Sequence, residues 1–178
     1  MKRVQGVIFT PDECDFFLQF LQKLPFESGQ AFSPTKGWYD DNEFNKRKES
    51  LVDLDDWVDP LKCTARDFWT KKMSHWVKGF NQQVKLLQYE TGDFLKQHLD
   101  SGNTEILQKR NWSLMVQLSD ESEYTGGDFT VGDYIMPKQK GFCCLFNGGS
   151  VLHEVTPVTS GKRISFITWF EESDLTFL

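Results

Sequence analysis

Two positions in this sequence carry donors that could share one metal ion. In His98-Leu99-Asp100 the imidazole and the carboxylate are separated by one residue. On a β-strand residues i and i+2 share a face, so both would point into the same space while Leu99 points away. A third donor, His153, follows in Ser150-Val151-Leu152-His153-Glu154-Val155, a second apolar stretch. Two neutral imidazoles and one carboxylate fill one face of an octahedral ion and leave three positions open, the arrangement through which ferrous iron meets O2 and a chelating organic acid. An HxD triplet alone is a weak signal, because a surface histidine beside a turn acid reads the same way. A single histidine on an apolar strand is likewise more often a packed core residue than a ligand. The remaining histidine, His75, stands beside Trp76 on an expected helix and reads as a surface residue.

Arg163 adds a second piece of chemistry. It lies across the turn Thr156 to Gly161 from His153, and strand alternation puts Arg163, Ser165, Ile167 and Trp169 on one face. A cation on the inward face of an apolar strand is costly without a partner, and arginine is the residue that grips a carboxylate with two parallel bonds. An acidic small molecule held inside the fold would supply that partner; a side chain that snorkels to solvent is the alternative.

These residues need a scaffold, and the texture of the chain supplies one. Thr10-Pro11-Asp12-Glu13 is a capping box with proline at the first helical position. Phe16, Phe17, Phe20, Leu21 and Leu24 follow at helical spacing until Pro25. A second helix is predicted over about 64 to 80, with Phe68, Trp69, Met73, Trp76, Val77 and Phe80 on one stripe. Residues 27 to 62, polar and aromatic with interspersed Gly and Pro, read as a long loop with short pieces of structure, and loops of that length are often functional. From about residue 84, short apolar runs (VKLLQYE, FLKQHLD, WSLMVQLS, GDFTVGDYI, GFCCLF, SVLHEV, KRISFITWF) alternate with Gly-Asp and Asn-Gly turn signals. That pattern predicts an antiparallel sandwich or barrel. The expected class is therefore α+β, mainly β: one domain over 1–178, with a helical and loop part over 1–83 and a β core over 84–178.

Composition narrows the partners. The formal net charge is −6 and no block of like charges occurs, which argues against a nucleic-acid backbone. No apolar run is long enough for a transmembrane helix, and the N-terminal segment lacks the apolar stretch of a signal peptide, so a cytoplasmic location is expected without membrane contact. Cys14, Cys63, Cys143 and Cys144 form no zinc-type pair and read as reduced, buried thiols, with Cys143 and Cys144 on opposite faces of a strand.

The segments Tyr89 to Asp100, Gly126-Gly127, His153 to Val158 and Gly161-Lys162-Arg163 occur in the order, over about residues 84 to 171, that resembles the Fe(II)/2-oxoglutarate dioxygenases. Within these they are similar to the prolyl 4-hydroxylase group, which includes the bacterial and viral PKHD-type hydroxylases. The resemblance implies a double-stranded β-helix, or jelly roll, with the N-terminal helices packed outside. It implies His98, Asp100 and His153 as iron ligands and Arg163 as the partner of the distal carboxylate of 2-oxoglutarate. It implies Tyr89 and Ser165 as further contacts to that cosubstrate and Trp169 as a neighbour of its pocket. Gln117 stands where many prolyl hydroxylases carry a tyrosine that touches 2-oxoglutarate, a departure from the pattern. The implied cofactors are Fe(II), 2-oxoglutarate and O2, with ascorbate as an accessory reductant, and the implied activity is C–H hydroxylation coupled to decarboxylation of 2-oxoglutarate. The implied acceptor is a prolyl residue in a peptide or protein. A small-molecule or free amino-acid acceptor, and a jelly-roll binding module without turnover, are the competing readings. Residues 27 to 62 and the segment Asp133 to Lys140 are the expected walls of the acceptor pocket; Phe32, Trp38, Tyr39, Phe44 and Trp57 either line it or simply pack the loop onto the helices. The sequence carries no indication of oligomeric state.

Overall fold

The segment Arg163–Phe170 (RISFITWF) explains most of the architecture. It is an uninterrupted run of alternating side chains, and all eight residues are buried. A strand buried on both faces must lie between two packed layers. In the computed structural model, which describes residues 3–21, 23–33, 35, 37–55, 64–80 and 83–177, this strand sits at the centre of a seven-stranded antiparallel sheet. The order is Arg3–Val7, Phe142–Phe146, Trp112–Gln117, Arg163–Phe170, Val84–Tyr89, Lys48–Val52 and Glu27–Ser28. A second sheet of five strands runs Tyr134–Ile135, Phe129–Val131, His153–Val155, Phe94–His98 and Asn45–Lys46. The fold is an antiparallel jelly roll.

Alternation along the larger sheet separates two cores. Leu86, Leu114, Val116, Cys143, Leu145, Ile164, Phe166 and Phe170 face outward and join the helices in one cluster. Leu87, Tyr89, Met115, Cys144, Phe146, Ile167 and Trp169 face inward against Phe129, Val131 and Val155 of the smaller sheet. Neighbouring Cys143 and Cys144 thus enter different cores, as strand alternation predicts. Both thiols and that of Cys14 are buried and free. Burial pushes Cys14 and Cys144 up to about 12 and raises Cys143 as well, so none is a ready nucleophile. Cys63 falls outside the described residues.

The helix Pro11–Leu21 starts at the predicted capping box, with Thr10 N–H donating to Glu13 and Glu13 N–H to Thr10 Oγ1. The second helix, Ala65–Lys72, starts at the cap Thr64 but stops eight residues short of the predicted end. The reason is tertiary. Lys78 N–H donates to Asp174 O and Thr176 N–H to Trp76 O, so the chain after Met73 pairs with the C-terminal segment instead of continuing the helix. Trp76, Val77 and Phe80 reach the same core from the turn that ends at Trp76 and the segment that follows it. Trp69 is the centre of the helical layer, stacked on Phe166 at 4.4 Å between ring centroids and edge-on to Phe9 and Phe17.

The expectation that residues 1–83 contribute only helices and loop is corrected. Arg3–Val7 pairs with Phe142–Phe146, Lys48–Val52 with Val84–Tyr89, and Asn45–Lys46 with Phe94–His98. The strand Lys48–Val52 escaped the pattern because its inward position carries Glu49, which pairs with Arg47 and Lys85, while Leu51 on the same strand is exposed. No described helix is long and apolar enough to cross a membrane. The stacked ring at the helix–sheet boundary makes a direct test of the outer core. Trp69→Ala should cost about 3–5 kcal/mol of unfolding free energy, read by denaturant titration, while leaving the inward-facing core intact.

Candidate metal centre

His98 and His153 stand directly opposite each other on adjacent strands of the smaller sheet. Cross-strand partners bring their Cβ atoms to about 5 Å, and the two ring centroids are 4.2 Å apart. Asp100 is not on the strand, which ends at His98. It occupies the bend that follows and is fixed by its own N–H, which donates to Gly148 O at 2.9 Å. The predicted convergence of the HxD side chains holds, although a bend rather than strand alternation delivers the carboxylate. His98 Nε2 lies 3.6 Å from Asp100 Oδ1, and His153 Nε2 lies 3.2 Å from Asp100 Oδ2. One ligand atom from each of the three residues lies within 4.8 Å of the others, close enough for the three to converge on one ion. His98, Asp100 and His153 form the metal-capable cluster of His, Cys, Asp and Glu found among the described residues.

The surroundings prepare these donors. Each imidazole places Nδ1 2.9 Å from a backbone carbonyl two residues earlier, Lys96 O for His98 and Val151 O for His153. With the proton on Nδ1, each ring presents the Nε2 lone pair to the centre, the orientation that backbone carbonyls impose on metal-binding histidines. His153 Nε2 is buried with no hydrogen-bond partner. Phe129 and Phe146 pack edge-on against its ring, and Phe44 against that of His98. Burial acts to raise the Asp100 carboxyl, but His153 and His98 outweigh it and hold it well below the ordinary carboxylate range. A buried anion with two imidazoles and an orphaned nitrogen beside it fits a divalent cation in chemistry as well as in spacing.

Two residues that the sequence reading missed hold Asp100 in place. Ser113, on the inner face of the larger sheet opposite Trp169, donates its hydroxyl to Asp100 Oδ2 at 2.5 Å. Gly148 lets them meet: a Cβ there would collide with Ser113 Oγ and lie 2.9 Å from Asp100 Oδ2. Neither has a signal in the sequence, since both depend on pairing between distant strands.

Arg163 is 1% exposed. Its Nη1 donates to Ser165 Oγ at 2.8 Å, while Nε and Nη2 have no partner. Tyr89 stands opposite it on the neighbouring strand, its ring 5.4 Å from the guanidinium carbon and its hydroxyl also unpartnered. Gln117 stands opposite Ser165 and donates to Tyr124 Oη and to Ser119 O. The structure therefore gathers Arg163, Tyr89, Ser165 and Gln117 into one buried group on the inner face. Trp169 is placed elsewhere, six residues along the strand, which at strand rise is roughly 20 Å from Arg163. It borders a cavity of about 370 Å³ that His98 and Asp100 also line. Trp38 and Phe44 line that cavity as expected, whereas Tyr39 donates to Asp41. Trp57 and the side chain of Phe32 lie outside what is described. Residues 133–140 are not among the described lining residues. Lys138 and Lys140 instead pair with Asp128 and Asp15.

Residues 84–171 match the 2OG-Fe(II) oxygenase superfamily. A PKHD-type hydroxylase of Alteromonas mediterranea is 34% identical over 73 residues, 39% of this chain and 32% of the relative, so the chain spans about a third of that protein's length. Among solved structures, a prolyl hydroxylase from Trichoplax adhaerens in complex with a hypoxia inducible factor peptide fragment superimposes with a TM-score of 0.69 at 15% identity, covering 96% of this chain and 84% of that one. The viral collagen prolyl hydroxylase of Paramecium bursaria Chlorella virus-1, solved with 2-oxoglutarate, gives 0.59 at 17% identity, covering 95% of each chain. At these identities the structural likeness is one of fold.

The support around Asp100 is testable apart from any reaction. Ser113→Ala should weaken Mn(II) or Fe(II) binding by about 10–100-fold, the usual effect of removing a group that orients a metal ligand. Gly148→Ala should weaken it at least as much, with His75→Ala unchanged. Anaerobic calorimetric titration reads all three. Wild-type affinity in both Ser113→Ala and Gly148→Ala would show that Asp100 does not need this support.

Proposed function

We propose that the chain, whose residues 84–171 match the 2OG-Fe(II) oxygenase superfamily, hydroxylates a C–H bond of a prolyl acceptor in a peptide segment. The observation that carries this reading is the coexistence, between the same two sheets, of a two-histidine, one-aspartate cluster and a fully buried arginine with two unused donors. His98, Asp100 and His153 would hold Fe(II). Iron loaded with 2-oxoglutarate and O2 supplies the oxidation: one oxygen atom enters the acceptor C–H bond, the other enters succinate, and CO2 leaves.

The rest is the work of this chain's own side chains. Arg163 offers Nε and Nη2 to the distal carboxylate of 2-oxoglutarate, a two-point grip that a lysine cannot reproduce. Ser165 fixes the guanidinium by accepting from Nη1, and Tyr89 adds a hydroxyl on the opposite strand. Gly127 permits the close wall on the other side, since a Cβ there would meet Val158 at 2.8 Å and the Arg163 stem at 3.4 Å. Gln117 takes the place of a more usual tyrosine and is itself held by Tyr124, so it closes the pocket by packing and amide contacts rather than with a free hydroxyl. The apolar residues Leu87, Met115 and Ile167 on the same inner face would flank the path a cosubstrate spans from this group to the metal cluster. No protein acid or base is required.

A prolyl peptide is supported by the prolyl-hydroxylase relatives and by Trp38 and Phe44 on the cavity wall, because aromatic walls suit a preorganised proline-rich backbone. The cavity volume of about 370 Å³, at the small end for ligand sites, favours a second reading in which the acceptor is a small molecule such as a free amino acid.

Succinate release, measured with Fe(II), 2-oxoglutarate, ascorbate and panels of prolyl peptides and free amino acids, should rise above background with an acceptor that gains one oxygen by mass. His98→Ala, Asp100→Ala and His153→Ala should each abolish it. Arg163→Ala should leave metal bound but raise the 2-oxoglutarate requirement by the equivalent of about 2–5 kcal/mol, with Arg163→Lys recovering part. An Arg163→Ala protein with unchanged 2-oxoglutarate dependence would move the cosubstrate site elsewhere.

A further inference from the structure

The cavity beside His98 and Asp100 holds more positive charge than the reaction above uses. Arg47, Lys85 and Arg110 all line it. One acid, Glu49, serves two of them, bridging Arg47 Nη2 at 3.1 Å and Lys85 Nζ. The Arg47 side chain is nine-tenths buried, and its Nε and Nη1 have no partner. Arg110 is 7% exposed, lies 3.7 Å over the face of Trp169, and has a partnerless Nε. Burial lowers its affinity for the proton, with Asp100 and Glu49 as the acids that offset this. A metal ion would draw on the charge of Asp100, which leaves Arg110 without an anion of its own. Three cations facing one shared carboxylate in a half-closed space amount to an unfilled anion site, because desolvated charge without a counter-ion is costly.

On the reading above the cosubstrate would fill at most one end of it. Leu87 and Ile167, on the cosubstrate's path, line that end, but Arg163, which would take the distal carboxylate, is not among the lining residues and stands at the far end of the strand from Trp169. Arg47 and Arg110 line the rest of the space, beside Trp38, Phe44 and the metal cluster.

Resting on the oxygenase reading, we propose that the acceptor carries a carboxylate close to the carbon that is hydroxylated, and that Arg47 and Arg110 hold it. Trp38, Phe44, Leu95 and Trp169 pack the apolar part of the acceptor while the two guanidinium groups fix its charged end. Three sources share this chemistry: a free amino acid, the C-terminus of a chain, and an acidic side chain next to the reacting residue. A neutral mid-chain segment lacks it and would leave both arginines unpaired, a mismatch that buried polar sites reject strongly.

The test is anaerobic calorimetry on the Fe(II)-loaded protein, titrated first with 2-oxoglutarate and then with matched pairs. The pairs are free proline and prolinamide, N-acetylproline and N-acetylprolinamide, and capped Pro-Asp and Pro-Asn peptides. The expected result is that the carboxylate member of at least one pair binds ten-fold or more tighter than its amide. The pair that responds identifies the source. Arg47→Gln and Arg110→Gln should each erase that preference and leave 2-oxoglutarate affinity unchanged. Should a variant fail to fold, the matched pairs on the unaltered protein decide alone. Equal binding of acid and amide in every pair overturns the proposal, as does a loss of 2-oxoglutarate affinity in the arginine variants, which would make this the cosubstrate site. Absence of any 2-oxoglutarate binding, with the Arg-dependent preference retained, would remove the oxygenase reading and leave the carboxylate site standing.

Discussion

A carboxylate buried between two sheets is the constraint around which the site is built. Asp100 lies in a place where desolvation opposes its charge, yet His153, His98 and the Ser113 hydroxyl hold it ionised. Each of those contacts comes from a different part of the chain: the strand that ends at His98, the strand His153–Val155 of the same sheet, and the strand Trp112–Gln117 of the facing one. Closing the two sheets on each other is therefore what assembles the donors. A one-residue slip of Trp112–Gln117 would turn Ser113 outward and Trp112 inward, removing the hydroxyl from Asp100 and placing an indole in its space. The register of the larger sheet and the charge state of the site are in this sense one property.

The division of labour between the two faces follows from the same alternation. The outward face carries aliphatic and aromatic side chains that bury the helices, and it contains no residue of the site. The inward face carries Arg163, Ser165, Gln117, Ser113 and Lys85 among its apolar residues, so polar groups that would weaken an ordinary core are concentrated where a ligand can satisfy them. Stability is supplied on one side of the central strand and chemistry on the other. This separation lets Arg163 sit with two unused donors at full burial, because the outward core around Trp69 and Phe166 offsets the cost.

What could be read from the sequence was what depends on short spacing. His98 and Asp100 are near neighbours, Arg163 and Ser165 share a strand face, and the capping box at Thr10 and Glu13 is local; the last two stand as the spacing predicts, while His98 and Asp100 converge through a bend in place of strand alternation. What could not be read depends on which strands pair. Ser113 and Gly148 gain their roles only once Trp112–Gln117 lies beside Arg163–Phe170 and the turn after Phe146 folds over Asp100. The strand Lys48–Val52 was hidden because Glu49 points inward to a pair of cations, which inverts the usual polar-out pattern. The second helix was overextended because apolar spacing at Trp76, Val77 and Phe80 persists after the backbone has left the helix to pair with the C-terminal segment.

The same limitation explains why Arg47 and Arg110 passed unnoticed and why they matter together with Arg163. In sequence each sits in a polar stretch, Lys46-Arg47-Lys48 and Lys109-Arg110-Asn111, that reads as a solvated surface. Folding buries both side chains in the cavity beside Asp100, so an apparently exposed charge becomes a desolvated one. On the proposed reading, Arg163 would hold one carboxylate and the pair Arg47 and Arg110 another beside the same cluster of metal donors, and the two must not exchange places. The surroundings differ enough to do so. Around Arg163 the guanidinium is bonded to Ser165, faces the Tyr89 ring and has Gly127 close to its stem, a narrow setting suited to a slender chain and a planar carboxylate. Around Arg110 the guanidinium is stacked on Trp169 in a wider cavity with aromatic sides, which favours a bulkier group. On that reading, discrimination between cosubstrate and acceptor would rest on shape, since the charge recognised at the two sites is the same.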